Sequence, residues 1–328
     1  MSKVLLIGGG SLLCSYLIPQ LVSVGHEVVI MDNLTGCDRF KLPKGIKLFV
    51  GNASVNDNVK TCFSSVKPDI VFINIAYAVK PGTIYNYRED TNNTISSADA
   101  IGCFLHNEIK HVYYCSTSEV YGGPEPKNPL PEDRKIVAPS SHFGNANLVA
   151  ENLLSFRCNE LGIPLTVLRI FDMFGPRDEI FAKTAVVNFI IEAFLNNEKI
   201  GISRADRKRD FVFAEDVADA CFQIIKLEEK VSATYNVGTG TGISLDKICK
   251  ELYKYIDVID KPDYLGDPSV PIYSSVADTK LLKEKIDWQP KVNIIEYLPT
   301  LVEYTKQALI KARDPAHRLA KARGFIRG

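Results

Sequence analysis

The stretch Ile7-Gly8-Gly9-Gly10-Ser11-Leu12-Leu13-Cys14 joins an aliphatic run to a segment of helical spacing. A glycine-rich turn there lets backbone amides face a pyrophosphate at a helix start. Such a loop needs an acid roughly 20 residues further on to hold an adenosine ribose, and Asp32 stands in that place. An acid there favours NAD over NADP, because it would repel a 2′-phosphate. The plainer alternative is a tight turn with no ligand. Further along, Thr117, Ser118 and Glu119 put hydroxyls and a carboxylate at the end of an apolar run. The choice there lies between chemistry and hydrogen bonding at a strand end. His142 is a candidate base by residue type. Arg177 and Arg209 could hold an anion; alternatively Arg209 pairs with Asp210 or Glu215 and Asp172 caps a turn.

These residues sit on a regular alternation. Val4–Gly8, His26–Asp32, Lys47–Val50, Asp69–Ala76, His111–Cys115 and Leu165–Phe171 read as short apolar strands. Between them lie longer mixed segments, such as Leu12–Leu21 with apolar residues at helical spacing. Strands this apolar belong in a parallel sheet covered on both faces. The expected fold is α/β: a Rossmann-type doubly wound parallel sheet with a smaller C-terminal α/β substrate domain. Residues 1–171 form the first domain, with a return segment at about 209–226, and 172–328 form mainly the second. In that second half, Thr184–Leu195, Glu215–Ile225 and Ser244–Tyr255 read as helices, the last with Ser244 as N-cap. Asp210–Phe213 reads as a strand and Pro262–Tyr273 as loop. The basic stretch from Lys306 reads as a solvated terminal helix.

Composition narrows the partners. The 328 residues carry 39 Lys plus Arg and 39 Asp plus Glu, so no global charge favours nucleic acid or an anionic membrane. No apolar run approaches the ~20 residues that span a bilayer. The start has no signal-peptide pattern. The eight cysteines form no C-x-x-C pair, which argues against zinc and for reduced, mostly buried thiols in a cytoplasmic protein.

Several segments in order resemble the NAD-dependent epimerase/dehydratase family of extended short-chain dehydrogenases, which act on nucleotide sugars. They are Gly8–Leu17, Met31–Leu34, Ser116–Gly122, Arg169–Arg177, Arg209–Ala218 and Tyr235–Gly240. The Ser-Thr-Ser-Glu-Val-Tyr-Gly stretch is most similar to the decarboxylase and 4,6-dehydratase branches. The resemblance covers nearly the whole chain. It implies NAD as cofactor, with Gly8, Gly10, Ser11, Leu12, Leu13, Asp32, Asn33, Asn52 and Ala76 beside it. It implies a nucleotide sugar as ligand, no metal, and a homodimer.

The departures from the family pattern are specific. The family loop is G-x-x-G-x-x-G; here Ser11 and Cys14 hold the second and third positions, adding side-chain atoms where the family has none. The family's catalytic Tyr-x-x-x-Lys pair falls on Phe143 and Asn147. Phe143 has no exchangeable proton and Asn147 no charge, and loss of a positioned base costs roughly 10²–10⁴-fold. Thr117 matches the residue that hydrogen-bonds the reacting hydroxyl, and Glu119 matches the dehydratase glutamate. Ser118 stands where those enzymes have an acidic proton donor. Tyr77 replaces a small residue beside the cofactor. The family's substrate-diphosphate asparagine is Asp172, while Arg209 matches its diphosphate arginine and Arg177 adds a second cation. Three functions fit: an epimerase/dehydratase with a non-standard or impaired site; an inactive member that binds or scaffolds; or a non-redox lyase or isomerase with Glu119 or His142 as base.

Overall fold

The computed structural model describes residues 1–35, 42, 45–75, 86–122, 128–136, 138–139, 141–176, 186–203, 205–227, 231–265 and 274–313. Six strands and their crossover helices build the first layer: β1 (Lys3–Ile7), α1 (Leu12–Ser23), β2 (Glu27–Asp32), β3 (Lys47–Val50), α2 (Asn56–Val66), β4 (Ile70–Ile73), α3 (Tyr87–Phe104), β5 (His111–Thr117), α4 (His142–Leu161) and β6 (Leu165–Ile170). A short 3-10 turn, Ser118–Val120, follows β5. With β10 (Ala233–Val237) these strands form one parallel seven-stranded sheet, in the order β10-β6-β5-β4-β1-β2-β3.

Each face is buried, as the apolar strands require. One face packs Leu13, Leu17 and Leu21 of α1 against Val217 and Ile224 of α6 (Ala214–Lys226). The other packs Val59 and Phe63 of α2, Ile101 of α3 and Leu154 of α4. Side chains alternate across each strand, so Val4 and Leu6 face the first core while Leu5 and Ile7 face the second. The fold class is therefore the doubly wound α/β sheet that the alternation implies.

The second layer contains β7 (Asp172–Phe174), α5 (Val186–Leu195), β8 (Gly201–Ser203), β9 (Lys208–Phe213), β11 (Gly242–Ser244), α7 (Leu245–Leu252), β12 (Asp263–Leu265), α8 (Lys280–Ile286) and α9 (Ile294–Arg313). Strands β11, β9 and β7 form a three-stranded sheet, over which Phe174, Phe211, Phe213, Ile248 and Leu301 make a separate core. The chain's return to the first layer reaches beyond residues 209–226. Strand β10 edges the main sheet, and Leu282 of α8 with Trp288 enters the first core. The stretch read as loop from Pro262 contains β12, which pairs with β8; residues 266–273 lie outside the described set. Residues Lys306, Lys311 and Arg313 of the basic stretch are on α9, and 314–328 are outside the described set. Among the described residues, no helix is long and apolar enough to cross a membrane.

Candidate active site

Strand order reverses between β1 and β4, which opens a crevice at the carboxyl ends of the strands. The glycine loop leaves β1 into that crevice. Gly8 adopts φ +77°, and a Cβ there would lie 2.1 Å from the Asn74 carbonyl oxygen, so only glycine lets the two strand ends approach. The Gly8 amide donates to Met31 O at 2.8 Å.

Asp32 ends β2 and reaches back to the loop. Its Oδ2 accepts from the Gly10 amide at 2.9 Å and its Oδ1 from the Leu34 amide at 2.7 Å. The carboxylate is thus fixed beside the glycines. Ser11 is the N-cap of α1. Its Oγ accepts from the Cys14 amide at 3.2 Å and from Asn74 Nδ2 at 2.6 Å. The side chain that replaces the second glycine is therefore folded onto the helix end and tied to β4. Leu12 and Leu13 open the first turn, where a helix leaves its N–H groups without internal acceptors. Cys14 is buried in the first core, where desolvation pushes its thiol pKa up to about 12. Asn33 accepts from the Thr35 amide at 3.0 Å, and Asn52, just after β3, from the Ser54 amide at 3.0 Å. These residues fit the adenosine and pyrophosphate half of a dinucleotide: a glycine cradle too tight for a Cβ, a free helix start and a fixed acid.

The start of α4 carries positions 143 and 147. Asn147 is 1% exposed; its Oδ1 accepts from the Tyr114 hydroxyl at 2.7 Å and its Nδ2 donates to Phe143 O at 2.9 Å. Both ends of the amide are satisfied inside the protein. Phe143 is half-buried one helical turn earlier. His142 is exposed at the first position of α4.

At the end of β5, Thr117 is buried and its Oγ1 accepts from the Glu119 amide at 3.2 Å. Ser118 is buried in the same turn. Glu119 Oε2 accepts from the Ser141 hydroxyl, while Ser141 Oγ, the N-cap of α4, accepts from the Gly144 amide at 3.0 Å. One serine thus joins the strand-end carboxylate to the helix that carries positions 143 and 147. Beneath it, Glu151 of α4 accepts from Ser116 Oγ at 2.5 Å and from Arg169 Nη2 at 2.8 Å, which fixes α4 against β5 and β6.

Asp172 of β7 and Arg209 of β9 form a bidentate ion pair, Arg209 Nε lying 2.9 Å from Asp172 Oδ2 and Nη2 bonding Oδ1. The alternative partners for Arg209 are not used. Asp210 accepts instead from Thr239, Gly240 and Ala277 amides at 2.8–3.1 Å. The charge of Glu119 also acts on Arg209. Ala76, Tyr77 and Arg177 lie outside the described residues. Asn74, Tyr114, Ser141 and Arg207 take part without having been singled out from sequence. Ser141 had a signal, since a serine just before a helical segment is a capping residue; Tyr114 had none, because its partner lies 33 positions away.

The model of the NAD dependent epimerase/dehydratase family matches residues 4–238. This chain belongs to that family. A putative UDP-glucose 4-epimerase of Methanocaldococcus jannaschii is 24% identical over 315 residues, covering 92% of this chain and 98% of the relative. UDP-glucuronic acid decarboxylase 1 of Xenopus tropicalis is 24% identical, over 94% of this chain and 73% of the relative. The crystal structure of UDP-glucose 4-epimerase from Thermotoga maritima with UDP-glucose superposes with a TM-score of 0.81 at 26% identity. It covers 94% of this chain and 99% of that one.

Proposed function

We propose that this protein binds NAD and a nucleotide sugar in the crevice above β1, β4 and β5, and that its hydride-transfer cycle is impaired. NAD, when bound, supplies the hydride acceptor. Gly8, Gly10, Leu12, Leu13 and Asp32 hold its adenosine half, with Asn33 and Asn52 at the rim. Thr117 orients the reacting hydroxyl and Glu119 moves its proton, held in place by Ser141. Family membership and similarity to UDP-sugar enzymes support the ligand class.

One observation supports the impairment: the buried Asn147 is closed on Tyr114 and Phe143 O, so position 147 supplies no cation and Phe143 supplies no phenol. Phe156, 67% exposed on α4, suits the pairing of helices in a homodimer. The binding proposal is tested by calorimetry on the purified chain, first with NAD and then with UDP-glucose on the NAD-loaded protein. Micromolar NAD binding and saturable sugar-nucleotide binding are expected. No heat with millimolar NAD would sink the proposal.

A further inference from the structure

Near the Asp172–Arg209 pair are two buried polar groups whose hydrogens have no acceptor among the described residues. Arg207 lies two positions before Arg209, just ahead of β9, and the charges of Arg209 and Asp172 both act on it. Ser275 is bridged in parallel to Arg209, and its amide donates to Lys208 O at 2.9 Å. Residues opposite one another in a ladder present their side chains on the same face. Arg207 Nε and Ser275 Oγ are both buried, and neither has a hydrogen-bond partner among the described residues. Buried donors without acceptors are costly and rare, and each such group in a native structure requires an explanation.

The surrounding charges say what is missing. Arg209 has turned the planar edge with which a guanidinium grips phosphate or carboxylate onto Asp172. Arg207 has no such partner. Burial and the Arg209 charge push its pKa down, and Asp172 and Glu119 act on it only through their charge. It stays protonated, as arginine does in proteins. A second anion at this spot would supply the acceptor for both orphaned groups.

We infer that Arg207 and Ser275 form the anion-contact subsite of the pocket, holding a phosphoryl oxygen of a nucleoside diphosphate in place of the grip that Arg209 gives to Asp172. The assignment rests on the nucleotide-sugar reading above. It makes Arg207 a specificity-determining residue and Asp172 the residue that sets how much of Arg209 the ligand receives.

The test is calorimetry of the full chain with two probes, UDP and inorganic pyrophosphate, each variant first checked for a cooperative thermal melt. Arg207→Gln is expected to weaken UDP by about 10–100-fold, the loss of a charge-assisted hydrogen bond. Ser275→Ala should cost about 3–10-fold, and Arg207→Lys, which keeps the charge but not the Nε–H, should fall between wild type and Arg207→Gln. Asp172→Asn releases Arg209, so the Asp172→Asn/Arg207→Gln double variant should recover most of the lost affinity, a non-additivity that general destabilisation does not produce. If Arg207→Gln does not melt cooperatively, Arg207→Lys and Ser275→Ala carry the test. UDP binding that is unchanged in these variants overturns the inference and leaves the nucleotide reading standing. Arg207-dependent binding of pyrophosphate without UDP binding keeps the subsite and removes the nucleotide reading. Binding of neither probe by the wild type overturns both.

Discussion

At Gly8 a single hydrogen atom decides whether the crevice exists. Its positive φ and the 2.1 Å approach that a Cβ would make to Asn74 O leave no room for alanine. Gly8→Ala should therefore destabilise the fold by about 1–3 kcal/mol through backbone strain alone, with more from the displaced β4 end. Urea denaturation reads this directly. Asn147 is the second residue of consequence. Replacing it with lysine breaks the Tyr114 hydrogen bond and buries an ammonium, so Asn147→Lys alone should cost about 1–3 kcal/mol by the same measurement. The turn at the glycine loop, and the places of Asp32 at the end of β2 and of Thr117 and Glu119 at the end of β5, were legible because they depend on local spacing. The pairing of Arg209 with Asp172, 37 positions away, was not legible, and neither was the tie between Ser11 and Asn74, 63 positions away. Spacing along the chain does not encode such long-range partners.

Secondary elements were legible where their pattern was local. Strand β3 coincides with the apolar run Lys47–Val50, and Ser244 caps α7 by accepting from the Lys247 amide at 3.2 Å. Strand β12 was not legible, because Asp263–Leu265 is exposed and set among loop-forming residues; pairing with β8 makes it a strand. Strand β10 joins the main sheet beside β6, and the junction below it is held by Glu132. Glu132 Oε1 accepts from the Asn236 amide at 2.9 Å, and Asn236 Oδ1 accepts from the Tyr121 hydroxyl at 2.6 Å.

Burial raises the Glu132 pKa above the ordinary carboxylate value. The folded state then holds that proton more tightly than the unfolded chain. The charged form costs stability, and the cost grows as pH rises from about 4, the unfolded value, through the raised folded value. Glu132→Gln keeps the acceptor oxygen and removes the titration. Denaturation midpoints of the two proteins should diverge in favour of Glu132→Gln as pH rises across that window. Parallel profiles would contradict the account of this junction.

Across the whole molecule, the cysteines report how completely the layers close. Among the described cysteines, Cys14, Cys62, Cys115, Cys158, Cys221 and Cys249 are buried and Cys103 of α3 is exposed, in keeping with the expectation of mostly buried thiols. Desolvation pushes Cys62 up to about 11 and Cys158 and Cys249 up to about 12. A thiol that is both buried and protonated does not alkylate. Of the seven described cysteines, iodoacetamide at pH 8 followed by peptide mapping should modify Cys103 in the native protein and the six buried thiols only after denaturation; Cys37 lies outside the described residues. The family's fold is retained across the described residues.

The central claim is that the crevice binds and that chemistry is limited at positions 143 and 147. The most direct measurement compares turnover of UDP-glucose by the wild-type chain and by the Phe143→Tyr/Asn147→Lys double variant, both saturated with NAD and both shown by calorimetry to bind the sugar nucleotide. The account predicts wild-type turnover at least about 10²-fold below that of the double variant, the size of a lost general base. Wild-type turnover equal to or faster than the double variant would contradict it.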